Sequence, residues 1–209
     1  MYSQSEPLIP ESLIFDFDGV LADTEPLHWM AWRELLLPHE IELSWEEYCR
    51  IGRGVTDGHM LTRLPQVVSN PTLHSTLRDQ LRHRRDMIPS LCAQGSLIGE
   101  PTVKLLESLS PFRLGLVTSS SRSAVEPVLH AAGVVKHFQA TVYGDEVSQH
   151  KPHPEPYLRI REKLGVSAGL VFEDSDAGME SATAAGFKVI RVLAPANLPE
   201  TVQKALGRS

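Results

Sequence analysis

The chain has 209 residues, with 42% hydrophobic and 22% charged residues and a formal net charge of −6. That length suits one large domain, or a core carrying a smaller insertion. The acidic balance excludes nucleic acid as the main partner, because no basic surplus is available to neutralise phosphates.

The N-terminal stretch MYSQSEPLIP has neither a basic residue nor an apolar core of leader length. No apolar run approaches the length that spans a bilayer, so no membrane partner is expected. Cys49 and Cys92 are too few and too far apart for a disulfide framework or a zinc site. They read as thiols in a reducing compartment, and the expected location is cytoplasmic.

In chain order, the first informative stretch is Leu13 to Glu25, LIFDFDGVLADTE. Its apolar start reads as a short strand buried on both faces. The strand runs into Asp16 and Asp18, then Gly19, where the chain can turn sharply. Two carboxylates at the end of a buried strand are costly unless a cation or hydrogen-bond donors compensate them. Ligands bind at that end of the strands in open α/β sheets.

After Glu25 the pattern turns helical up to Pro38. Ser44-Trp45-Glu46-Glu47 has the form of a capping box that opens a second helix ending near Gly52. GRGVTDG, 52–58, reads as a loop or a broken helix start. Thr72 to Met87, with leucines at 73, 77 and 81, reads as an amphipathic helix lying on a surface. No strand is expected between Thr24 and Cys92.

From Ser96 the pattern becomes alternating strands and helices. Helices are expected over Pro101–Leu109, from a Ser123 cap to Ala132, over Pro154–Leu164 and over Asp176–Ala185. Gly133, Gly165 and Gly186 close the last three. Strands are expected at Arg113–Val117, Ala140–Tyr143, Leu170–Phe172 and Lys188–Val192. This alternation predicts an α/β fold, a doubly wound, Rossmann-like parallel sheet core with an inserted α-helical cap domain. The expected boundaries are 1–22 with 93–209 for the core and 23–92 for the cap.

The polar residues gather at strand ends: Asp16 and Asp18, then Thr118 and Ser119, then Lys151 after the third strand, then Glu173-Asp174-Ser175. In a doubly wound sheet these ends share one edge. Carboxylates for a hard cation, a hydroxyl and one lysine charge together suit a phosphate ester.

The order and spacing of these clusters resemble the motifs of the haloacid-dehalogenase-like phosphohydrolase superfamily, in the branch of β-phosphoglucomutase-like and phosphoglycolate-phosphatase-like enzymes. The resemblance implies Asp16 as nucleophile, Asp18 as general acid/base, Thr118 as the hydroxyl on the transferring phosphoryl group, and Lys151 as the charge-offsetting lysine. It implies Mg²⁺ held by Asp16, Asp174 and the Asp18 backbone carbonyl, with Glu173 in support. Thr118 and Ser119 could instead be turn residues opening the next helix, and Lys151 an exposed loop lysine.

Ser119, Arg53, His28 and Arg122 are candidate substrate contacts, His28 and Arg53 from the cap. A packed histidine or a surface arginine would read the same way. The acid at position 18 argues against a dehalogenase. The absence of any lysine in Thr24–Cys92 argues against a phosphonatase-like Schiff base. The mutase carries an arginine after its Gly-Val-Ser-like cap element, where this chain has Asp57 after Gly54-Val55-Thr56. The expected function is a Mg²⁺-dependent phosphatase for a small phosphorylated metabolite, a sugar or polyol phosphate, working through an aspartyl-phosphate. A phosphosugar mutase and a non-catalytic scaffold are the alternatives. The expected partner is that small substrate, and the expected assembly a monomer or weak dimer.

Overall fold

The structure is a computed structural model that describes residues 10–52, 57–92 and 97–208, with only the backbone at 85 and 88–92. The chain clusters into two compact units, Met1–Asp23 with Ser96–Ser209, and Thr24–Gly95.

The first unit is built on five parallel strands in the order β3-β2-β1-β4-β5. Strand β1 is Ser12–Phe15, β2 Arg113–Val117, β3 Ala140–Val142, β4 Leu170–Glu173 and β5 Lys188–Arg191. All four β1 residues are buried. β1 lies between β2 and β4, with Phe15 opposite Leu116 on one side and Phe172 on the other. The Phe15 and Phe172 rings stack at 5.1 Å. The chain lays β2 and β3 on one side of β1, then returns to place β4 and β5 on the other. That reversal opens a crevice beside the C-terminal end of β1.

The connections between these strands are helical, as the sequence alternation requires. Numbering the helices along the whole chain, they are α6 (Glu100–Ser108), α7 (Arg122–Ala131), α8 (Glu155–Leu164) and α9 (Asp176–Ala184). Tyr157, Ile160 and Leu164 of α8 pack with Ile14, Val117 and Val171 of the sheet. Each fully buried side chain of this kind contributes about 2 kcal/mol by removal from water. Gly165 and Gly186 end α8 and α9 with φ of +62° and +87°. The N-cap of α7 is Ser121, two residues before the expected Ser123. The two hydroxyls lie 3.1 Å apart, so the run of serines disguises the start. A last helix, α10 (Leu198–Ala205), follows β5 and has no counterpart in the sequence reading.

The second unit is helical, and its described residues contain no strand. Helix α1 spans Glu25–Leu36 and α2 spans Trp45–Ile51, with Ser44 Oγ accepting the Glu47 N–H at 3.1 Å. Helices α3 (Asp57–Leu61) and α4 (Pro65–Val68) are too short to show a period in the sequence. Helix α5, Pro71–Cys92, runs longer than the expected 72–87. Its Leu77 is fully buried among Trp32, Leu36, Tyr48, Met60 and Leu64, with Leu73 and Leu81 at the margin. No described helix is long and apolar enough to cross a membrane.

Candidate active site

The site begins where β1 ends. The Asp16 N–H bonds to the Phe172 carbonyl at 3.0 Å, so Asp16 is still held in the ladder. Beyond it the chain coils back, with the Leu21 and Ala22 N–H groups both reaching the Phe17 carbonyl at 3.0 Å. Gly19 makes this turn possible, with φ of +79°. A Cβ on Gly19 would lie 2.3 Å from Asp174 Oδ2. Glycine is therefore needed both for the backbone angle and for the approach of the β4 loop.

Lys151 reaches this edge from the loop after β3. Its Nζ donates to Asp16 Oδ1 at 2.6 Å and to Glu173 Oε1 at 2.5 Å, with the Val117 carbonyl at 3.4 Å. Its side chain is only 6% exposed and that of Glu173 is 0% exposed, so these charges face one another and not water. Burial alone would lower the Lys151 pKa, but the Asp16 carboxylate, Tyr157 and Glu173 hold it well above its ordinary value. Lys151 is therefore a fixed cation. This rules out the reading of an exposed loop lysine.

Glu173 is the most heavily bonded group at the edge. Its Oε1 accepts from Lys151 Nζ and from the Tyr157 hydroxyl at 3.1 Å. Its Oε2 accepts from the Asp174 N–H, the Ser175 N–H and Ser175 Oγ, each at 3.0 Å. Gly178 at the start of α9 lies against this carboxylate, where a Cβ would sit 1.8 Å from Oε1.

Asp16, Glu173 and Asp174 can each aim one carboxylate oxygen so that all three lie within 4.8 Å of one another. Burial pushes Asp16 well above the usual carboxylate range. Lys151 opposes the shift, and Glu173 and Asp18 add to it. Burial, then the neighbouring Glu173, pushes Asp174 up to about 6. All the donors are oxygens, the preference of a hard divalent cation, and their ionised forms would be favoured by one. Arg191 steadies the loop by donating to the Asp174 carbonyl at 2.8 Å and pairing with Asp176.

Asp18 is held separately from the lysine. Its Oδ2 accepts from Thr118 Oγ1 at 3.2 Å and from Ser120 Oγ at 2.8 Å. Thr118 Oγ1 also accepts the Ser120 N–H at 3.0 Å, which ties the hydroxyl pair together. Of the candidate substrate contacts, Ser119 is exposed, and its side chain is not the one on Asp18. The Thr-Ser-Ser-Ser run gave no means of telling Ser119 from Ser120 before the turn geometry was known. Arg122 is held at the surface by Glu126 and Glu146 and lies over the Tyr143 ring. His28 belongs to the helical unit, where its Nδ1 accepts from buried Arg84 at 3.2 Å. Arg53 lies outside the described residues.

One family profile, that of the haloacid dehalogenase-like hydrolases, matches residues 13–192, the span from β1 through β5. The chain belongs to the haloacid dehalogenase-like hydrolase family. Among curated relatives of this hydrolase is the fructose-1-phosphate phosphatase YqaB of Escherichia coli, 32% identical over 86% of this chain and 95% of that protein. The β-phosphoglucomutase of Mycobacterium tuberculosis is 27% identical over 87% of this chain and 81% of that protein. A solved structure of CbbY from Rhodobacter sphaeroides in complex with phosphate superposes with a TM-score of 0.66. It shares 25% identity and covers 87% of this chain and 85% of that one. With phosphatases among its relatives in this family, the hydrolase is a phosphoric monoester hydrolase.

Proposed function

We propose that this hydrolase is a Mg²⁺-dependent phosphatase for a small phosphorylated metabolite, a sugar or polyol phosphate. The observation that carries the reading is Lys151 Nζ, buried and bonded to both Asp16 and Glu173. It offers one positive charge at the place where a carboxylate would meet a phosphate. Phosphoryl transfer depends mainly on such positioning and charge compensation.

Asp16 and Asp174 side chains, with the Asp18 backbone carbonyl, would hold Mg²⁺, and Glu173 would support Lys151. When bound, the ion supplies positive charge to a phosphate oxygen and favours the ionised forms of both acids. Asp16 attacks phosphorus, the bond from phosphorus to the ester oxygen breaks, and an aspartyl-phosphate forms on Asp16. Asp18 gives its proton to the departing oxygen. It then takes a proton from the water that attacks the same phosphorus, which releases inorganic phosphate and restores Asp16. Thr118 holds Asp18 and would bond the transferring phosphoryl group. Lys151 offsets the charge shared by nucleophile and phosphate throughout.

Water is the proposed acceptor, and not a second sugar. A mutase must hold a second phosphate. At the position where the mutase carries an arginine this chain has Asp57, and Asp57 is bonded to Arg84 at 2.8 Å. The relative YqaB is a fructose-1-phosphate phosphatase, which supports a sugar monophosphate substrate. The test is a panel of phosphate monoesters with and without Mg²⁺, together with β-glucose 1-phosphate. Phosphate release that requires Mg²⁺, with no glucose 6-phosphate formed, is expected. Formation of glucose 6-phosphate without phosphate release would instead establish the mutase suggested by the mycobacterial relative.

A further inference from the structure

Tyr157 is fully buried on α8, and no step of the proposed reaction uses it. Its hydroxyl donates to Glu173 Oε1, the oxygen that also accepts from Lys151 Nζ. Its ring lies under the same ammonium, with Nζ 5.3 Å from the ring centroid. The ring also meets Phe187 edge-on, with centroids 6.3 Å apart. One side chain thus touches both members of the pair that faces Asp16.

We propose that Tyr157 is a positioning residue for Lys151, acting through Glu173, an inference that rests on the catalytic reading above. A lysine ammonium is a point charge on a flexible four-carbon stem, so its location depends on the groups that seat it. Glu173 Oε2 is anchored by three donors of the β4 loop. Oε1 is shared between the tyrosine and the lysine. Without the hydroxyl, Oε1 keeps the ammonium as its one donor and draws it toward Glu173, away from the Asp16 side. The ring alone, through packing and its attraction for the cation, holds the stem but not the balance between the two carboxylates.

The test is Tyr157→Phe, which keeps the ring and removes one oxygen, set in a double-mutant cycle with Glu173→Gln. Tyr157→Phe is expected to lower kcat about tenfold while KM stays within about twofold, the split produced when a transition-state contact is lost. In the Glu173→Gln background the same change should lower kcat by less than about twofold, because the route through Glu173 is already broken. Parental kcat for Tyr157→Phe, or an undiminished tenfold loss in the Glu173→Gln background, overturns the proposal. A packing role alone would leave Tyr157→Phe at parental kcat and show its effect only as a lower Tm in Tyr157→Leu.

A readout without turnover separates this proposal from the catalytic reading beneath it. The Lys151 ammonium signal in ¹⁵N NMR, assigned by its loss in Lys151→Arg, should be sharp in the parent and broadened in Tyr157→Phe. An unchanged signal overturns the positioning role even where phosphatase activity is found. A broadened signal supports it even where no phosphate ester is hydrolysed.

Discussion

Among the described residues, each unit of this hydrolase holds a buried cation, and the two are partnered in different ways. Lys151 in the α/β unit is 6% exposed and bonded to Asp16 and Glu173, residues 135 and 22 positions away. Arg84 in the helical unit is 3% exposed, paired with Asp57, donating to His28 Nδ1 and lying 4.7 Å from the Trp32 ring centroid. The partners of Lys151 stand at the ends of adjacent parallel strands, where they are set by register. Those of Arg84 stand on helices of one small bundle. The first arrangement gathers charge at the C-terminal edge of the sheet, where open α/β folds bind their ligands. The second gives partners to a charge that would be costly if buried alone in an apolar core.

Replacing each cation by methionine sharpens this contrast and should give the largest effects. Lys151→Met leaves Asp16 and Glu173 facing each other without a counter-charge. It should cost about 3–5 kcal/mol of stability. It should also lower turnover of p-nitrophenyl phosphate by about 10³-fold or more. Arg84→Met removes one partner of Asp57, whose side chain is 20% exposed, and should cost less, about 1–3 kcal/mol, read as a lower Tm. Its turnover per folded molecule on this generic ester should stay within about threefold of the parent. An Arg84→Met protein that folds but is as inactive as Lys151→Met would break the distinction.

Gly178→Ala probes the seat of Glu173 from the helix side. The added Cβ would meet the carboxylate at 1.8 Å, so Glu173 must move and release Lys151. About 1–3 kcal/mol of destabilisation and about a tenfold loss in kcat are expected, measured by thermal melting and steady-state kinetics. Ser120→Ala removes one of two hydroxyls from Asp18 and should reduce kcat by only about threefold to tenfold, since Thr118 remains.

The smallest expected effect is in pH. Asp174 keeps its proton up to about pH 6 in the folded chain, above the ordinary value of 3.8. Between those values the folded state binds more protons than the unfolded one, so stability falls as pH rises through that window. A cation at Asp174 competes with the same proton and binds better above pH 6. The rise in Tm on adding Mg²⁺ should therefore be clear at pH 7.5 and shrink toward pH 5, as read by calorimetry. An equal rise at both pH values would mean that Asp174 is not where the ion acts.

The unequal legibility of the two units follows from the same physics. The core strands other than the last end in polar clusters that the sequence pattern locates, and the resemblance to the motifs of the family singles out Asp16, Asp18, Thr118, Lys151 and Asp174 within them. The strand register then brings them to one edge. Ser120 cannot be singled out in the sequence, because four consecutive hydroxyl residues, 118–121, differ only in where the turn aims them. The contact between Tyr157 and Glu173 is not legible in the sequence, because α8 gives no sign there of which helical face meets that carboxylate. In the helical unit, α3 and α4 have five and four residues, less than the two turns that a periodic signal needs. Asp57 could be read as an acid facing substrate. Only the fold pairs it with Arg84, because that arginine sits in a run, RHRR, whose other members read as a solvated face.

The central claim is that Asp16 forms a covalent bond to phosphorus. Rapid mixing with a saturating phosphate monoester and Mg²⁺, acid quenching and peptide mass spectrometry tests it most directly. A phosphoryl adduct on the peptide carrying Asp16 is expected, with none in Asp16→Asn, a variant that should fold normally yet not turn over. Sustained turnover by Asp16→Asn, or an adduct mapped to another residue, would contradict the account.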